Sequence, residues 1–64
     1  MTLWIARDKN GDLNVYLNKP VLDKDSCVFL PTGDGFRFFD IDKKLFTEVT
    51  YENSPMQIEL HLIK

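Results

Sequence analysis

Leu3-Trp4-Ile5-Ala6-Arg7-Asp8-Lys9-Asn10-Gly11-Asp12-Leu13-Asn14-Val15-Tyr16-Leu17 is the stretch on which the fold turns. Two apolar-rich runs flank Asp8-Lys9-Asn10-Gly11, and that pattern predicts a β-hairpin. The hairpin can close in two registers. A tight Asn10-Gly11 turn pairs Lys9 with Asp12 and mixes Trp4, Ala6 and Asp8 with Leu13, Val15 and Leu17 on one face. A type I turn with Gly11 as a left-handed bulge pairs Asp8 with Asp12 instead. That register gathers Leu3, Ile5, Leu13, Val15 and Leu17 on one face, with Arg7 the single polar exception. Trp4, Ala6, Asp8, Asp12, Asn14 and Tyr16 then share the other face. Register follows the option that buries the aliphatics together. Asp8 also suits the first position of a type I turn. The bulged register is therefore expected.

The remaining chain reads as more strand and turn. Lys19-Pro20 ends the second strand, because proline cannot donate to a ladder. Asp23-Lys24-Asp25-Ser26 is a polar loop, and Cys27 to Leu30 a short third strand. Pro31-Thr32-Gly33-Asp34-Gly35 is a turn rich in breakers. Phe36 to Ile41 is a fourth strand, with Phe36 and Phe38 opposite Arg37, Phe39 and Ile41. Asp42 can cap a short helical turn over residues 43–46. Val49 to Tyr51 is a short strand or an extended link. Asn53-Ser54-Pro55 is a further turn. Met56, Ile58, Leu60 and Leu62 alternate with Gln57, Glu59 and His61, which describes a half-buried last strand. The expected fold is one mainly β domain over residues 1–64: a compact antiparallel sheet of about five strands, able to curl into a partial barrel, with one helical turn near residues 42–46.

Size and composition narrow the function. A chain of 64 residues buries only about 60% of its unfolded surface, so its core is thin. One cysteine, Cys27, permits no internal disulfide, and one histidine, His61, leaves little for zinc. Small secreted domains usually need bridges, so a reducing, cytoplasmic setting is expected. No run resembles a signal peptide or membrane span. Ten acidic residues against eight basic ones give no general attraction to nucleic acid.

Several constellations can be weighed for chemistry. Asp8, Asn10 and Asp12 imitate the start of a calcium loop, but Leu13 stands where that loop needs glycine and Lys19 where it needs a bidentate glutamate. An Asx-stabilised turn is the expected reading, with no metal and no cofactor. Cys27 and His61 are the only thiol–imidazole pair, and nothing in the spacing joins them; a cysteine within Val-Phe-Leu reads as a small core residue. Asp40 and Asp42 share a strand face, yet Asp42 is better assigned to the cap. No catalytic set assembles, so a non-enzyme is expected.

Two binding readings remain. Gly35-Phe36-Arg37-Phe38-Phe39 partly resembles the aromatic RNP1 strand of RNA-binding domains, making Phe36, Arg37 and Phe38 candidates for base stacking. Asp34 stands where that motif carries a basic residue, and the net charge has the wrong sign. The other reading is a protein-contact face. Trp4 lies across from Tyr16 with Asn14 beside it and Asp8 and Asp12 at the rim, and Trp and Tyr are typical hot-spot residues. Either that face meets a partner or the segment around Leu45-Phe46 covers it. Self-association through an edge strand is a third possibility.

Ile5-Ala6-Arg7-Asp8-Lys9-Asn10-Gly11-Asp12-Leu13, Lys19-Pro20 and Leu45-Phe46-Thr47-Glu48-Val49-Thr50-Tyr51-Glu52-Asn53-Ser54-Pro55 together resemble a diffuse group of small uncharacterised proteins of gut bacteria and their phages. The resemblance lies toward both ends and lapses across Val21 to Arg37. Thr47 stands where the group commonly carries proline. The resemblance implies a bacterial or phage-borne intracellular accessory protein. In that setting the sharpest expectation is an anti-CRISPR-like inhibitor that occludes a host defence protein.

Overall fold

The computed structural model describes residues 2–33 and 38–59. Six strands run through them: β1 (Thr2–Arg7), β2 (Leu13–Tyr16), β3 (Val21–Asp23), β4 (Val28–Leu30), β5 (Phe38–Ile41) and β6 (Met56–Glu59). Four form one sheet in the order β5-β2-β1-β6, and β3 and β4 form a separate hairpin. Every pairing is antiparallel. The sheet does not close into a barrel, because β5 and β6 stand at opposite edges of it among the described residues.

The first hairpin adopts the bulged register. Trp4 pairs with Tyr16 and Arg7 with Leu13. The Asp8 N–H donates to the Asp12 carbonyl at 2.8 Å, and the Gly11 N–H to the Asp8 carbonyl at 2.9 Å. Gly11 sits at φ 101°, a conformation that costs glycine little and other residues more. A Cβ there would meet open space, so conformation and not room selects glycine. The Asp12 N–H donates to Asn10 Oδ1 at 3.0 Å, and Asn10 Nδ2 to Asp12 Oδ2 at 3.1 Å. The Asp-Asn-Asp string is thus turn chemistry of the Asx kind.

Alternation along the strands sends side chains to two faces. Ile5 and Leu13, with Val49, form one buried cluster, against which Val15, Ile41, Met56 and Ile58 pack. Ala6, Tyr16 and Phe29 form the other, joined by Trp4, Leu22 and Tyr51. Ile5 and Ala6 are neighbours in sequence and both wholly buried, so β1 is covered on both faces. The two faces are called here the Ile5 face and the Tyr16 face.

Three elements differ from the sequence reading. β3 was not legible in Val21-Leu22-Asp23, since three residues carry no readable alternation; it exists by pairing with β4. Cys27 lies outside β4, in the turn before it, at φ 59°. Residues 42–46 form turns instead of a helical turn. The Asp42 cap is present: its Oδ1 accepts from the Lys44 N–H at 2.9 Å and its carbonyl from the Leu45 N–H at 2.9 Å. Propagation then stops because Phe46 turns to φ 49°, which breaks a right-handed helix. Val49 and Thr50 form no strand. The expectations on Asp34, Gly35, Phe36 and Arg37, and on Leu60, His61 and Leu62, lie outside the described residues.

Candidate binding surface

The Tyr16 face is the one that the sequence offered to a partner, and the structure covers it. The β3–β4 hairpin lies over it, with Phe29 packed against Tyr16 and Ala6. The Tyr16 hydroxyl donates to the Phe29 carbonyl at 3.1 Å, and Asp8 Oδ1 accepts from the Phe29 N–H at 2.8 Å. The Lys9 N–H donates to the Cys27 carbonyl at 3.1 Å. Both polar groups of the Phe29 backbone are therefore taken by side chains of the first hairpin, Asp8 in its turn and Tyr16 on β2. Tyr16 is only 1% exposed. Burial, and then the nearby Asp8 charge, push its hydroxyl up to about 12.

The five residues proposed for contact are thereby redistributed. Tyr16, Asn14 and Asp8 are buried and offer a partner little surface, which corrects the open aromatic patch. Trp4 is half-buried, with the Lys19 Nζ 5.4 Å from its ring centre. Asp12 is exposed and engaged with Asn10. The cover is also not the segment around Leu45-Phe46, which reaches the opposite face. Asn14 Oδ1 is buried without a hydrogen-bond partner among the described residues.

The nucleic-acid candidates are divided. Phe38 is exposed at the edge of the sheet but stacks on Tyr16, with centroids 5.8 Å apart. Phe36 and Arg37 lie outside the described residues. Among the described residues, no group of three or more His, Cys, Asp or Glu side chains is placed to hold a metal ion, and no helix is long and apolar enough to cross a membrane.

The Ile5 face is organised differently. Arg7 was the exception on that face in sequence, and it proves to be a hub. Its Nε donates to the Val49 carbonyl at 2.6 Å. Nη1 donates to the carbonyls of Gly11 at 2.8 Å and Lys43 at 3.0 Å. Nη2 reaches the carbonyls of Leu45 at 3.1 Å and Phe46 at 3.3 Å. A planar guanidinium presents five N–H donors in a rigid fork, and here each nitrogen is engaged with backbone oxygen. The Arg7 N–H in turn donates to Ser54 Oγ at 2.9 Å. The segment from Lys43 to Val49 is held to the end of β1 by one side chain.

That arrangement leaves apolar side chains outside. Leu45 and Phe46 are 50% and 45% exposed, and Phe39 on β5 is 58% exposed. A bulky residue at φ 49° costs about 1 kcal/mol or more relative to a right-handed conformation. Arg7 offsets that cost by binding the Leu45 and Phe46 carbonyls, one on either side of the Phe46 Cα. The outcome is an apolar pair displayed on a braced backbone. Sequence reasoning missed it because positive φ at phenylalanine has no local signature. The one available signal was a charged residue standing among aliphatics.

Beside this tip a cleft of about 550 Å³ opens between the first turn and the segment that follows Phe46; Asp8, Lys9, Thr47, Tyr51 and Glu52 are among its walls. Burial raises the Asp8 carboxyl above its usual 3.8; the Phe29 N–H opposes this, and the charges of Asp12 and Asp40 add to it.

No family model, curated protein or solved structure matches the chain. Its function is therefore argued from this geometry.

Proposed function

We propose that the chain is a non-enzymatic protein-binding module that docks through the Leu45–Phe46 tip. The observation that carries this reading is the Phe46 backbone, held at φ 49° with the side chain 45% exposed. Strain of this kind persists where surrounding structure over-determines it, and it concentrates at ligand clamps and switch segments. A braced loop loses little freedom on binding, so more of the contact energy appears as affinity. An exposed Leu-Phe pair supplies the apolar anchor that interfaces place at their centre. Phe39 on the edge strand β5 adds a second exposed aromatic, and an edge strand can also receive a partner's strand. Steric occlusion of a host defence protein is the sharpest form of this reading.

The test is affinity capture from the native cells with the wild-type chain and with Phe46→Asn. Asparagine tolerates positive φ, so the loop keeps its shape while the aromatic anchor is removed. The expected result is one saturable partner that the wild type binds and F46N loses, with unchanged thermal melting. Equal capture by both chains would overturn the assignment of the tip. The identity of the captured protein tests the occlusion reading.

A further inference from the structure

β5 stands at one edge of the sheet among the described residues, but it is not composed as an edge strand. Phe38 and Phe39 point to opposite faces, one stacked on Tyr16 and the other paired with Val15. They are 46% and 58% exposed. A strand that is apolar toward both faces suits the interior of a sheet. β6 at the other edge differs: Gln57 and Glu59 face outward, and Met56 and Ile58 are half-buried. β5 also lacks the lysine, proline or bulge that commonly blunts an edge; Asp40 is its one charge.

The backbone groups at that edge follow from the first turn. The bond from the Asp8 N–H to the Asp12 carbonyl makes those two a hydrogen-bonded pair. Such pairs alternate with non-hydrogen-bonded ones along an antiparallel ladder, so Ala6 and Asn14 form the next. Leu13 and Val15 therefore turn their N–H and C=O toward β5, where they meet Ile41 and Phe39. Phe38 and Asp40 are left with N–H and C=O directed away from the sheet. Neither multi-residue run outside the described residues reaches that edge. Residues 34–37 span from Gly33, which lies against Asn18, to Phe38, and a connector of that length cannot also double back beside β5. Residues 60–64 follow β6 at the far edge. Fully extended they reach about 17 Å, whereas the position beyond β5 is about 19 Å away across the strands.

We propose that β5 is a dimer interface, pairing antiparallel with β5 of a second copy across a two-fold axis at Phe39. This goes beyond the tip reading and does not depend on it. In that register Phe38 and Asp40, the residues with outward groups, meet Asp40 and Phe38 of the second copy and exchange N–H and C=O with them. Phe39 meets its own copy at the non-hydrogen-bonded position, where side chains come closest, and an aromatic pair there is stabilising. Centring on Asp40 would set like charges directly opposite each other, which destabilises. Centring on Phe38 would leave Asp40 beyond the end of the second β5. The strand is thus self-complementary in one register, as a two-fold contact requires.

Sedimentation equilibrium tests this, and the wild type is expected to show a concentration-dependent balance of monomer and dimer. Asp40→Pro removes an outward N–H, which an edge strand tolerates. It should leave a monomer whose amide shifts in β1 and β2 are unchanged. Phe39→Ala should weaken the dimer about tenfold. Oxidation in a Cys27→Ser background reads the register. Phe39→Cys should cross-link to its own copy, since the facing Cα atoms lie about 4.5 Å apart in such a pair, and Asp40→Cys should not. A wild type that stays monomeric to about 1 mM, a D40P dimer, or equal cross-linking by both cysteine variants would each overturn the interface. A monomeric wild type whose captured partner is lost with D40P would give the edge to another protein's strand, which also overturns the second copy. A dimer together with capture that ignores Phe46 would remove the tip reading and leave the β5 interface standing.

Discussion

The two faces of the four-stranded sheet are closed by opposite means. Over the Tyr16 face lies a hairpin with its own β3–β4 ladder, so its backbone largely satisfies itself; Phe29 and Leu22 pack inward, while Val21 and Leu30 stay exposed. Over the Ile5 face lies the segment from Lys43 to Val49, which has no ladder. Val49 is its one buried apolar contribution, and Arg7 supplies the missing donors. Buried or half-buried carbonyls need partners whichever way the chain is covered. A regular cover finds them in its own ladder. An irregular cover borrows them from side chains, chiefly Arg7 and also Asn53, and leaves Leu45 and Phe46 outside. Both covers leave apolar side chains exposed, Val21 and Leu30 on the hairpin and Leu45 and Phe46 on the irregular segment, but only the second pair sits on a backbone that Arg7 braces.

The comparison breaks most visibly at Phe29. Phe29→Ala should cost about 3–5 kcal/mol, the range for deleting a buried aromatic, read as a fall in the urea midpoint. Trp4 emission should shift to the red as the hairpin loosens. If stability barely changes, the hairpin is not the cover that the packing indicates.

Arg7→Lys is the next largest test. Lysine keeps the charge but not the fork, and the expected loss is about 2 kcal/mol. Amide exchange should quicken over residues 43–49 and stay slow in β3 and β4. Equal quickening in both regions would show that the two covers are not independent.

Asp8→Asn is the smallest and has the opposite sign. The folded state raises the Asp8 carboxyl above 3.8, chiefly by burial. The folded protein therefore binds the proton more tightly than the unfolded chain. This group's contribution is fully present below the unfolded value and is lost as pH rises through the folded one. Asparagine retains the acceptor and carries no charge. The variant should melt higher than wild type at neutral pH, with the gap closing as pH falls toward 3.8. A gap independent of pH would place the effect elsewhere.

Most of the sheet was legible before any coordinates. Alternation and the Asp8–Asp12 turn set the register of β1 on β2, because slipping by one residue would have exposed every aliphatic. Phe38, Phe39 and Ile41 fell on the expected sides, as their pairing with Tyr16, Val15 and Leu13 shows. Met56, Gln57, Ile58 and Glu59 alternate in burial as they do in polarity. The Asp42 cap was also readable, since it is a contact between near neighbours.

The binding surface was not legible to the same degree, for a definite reason. Sequence periodicity says that a face is apolar, but not what lies over it. Trp4 and Tyr16 looked available until β3–β4 folded onto them through Phe29, a contact between residues far apart in the chain. Phe46 looked like a candidate cover until Arg7, 39 residues away, fixed its backbone and left its ring outside. The sequence by itself determined the local terms: the turns, the alternation and the strand register that follows from them. Only the tertiary structure decided which face is closed by what, because that choice rests on one arginine and one hairpin meeting partners that local patterning cannot name.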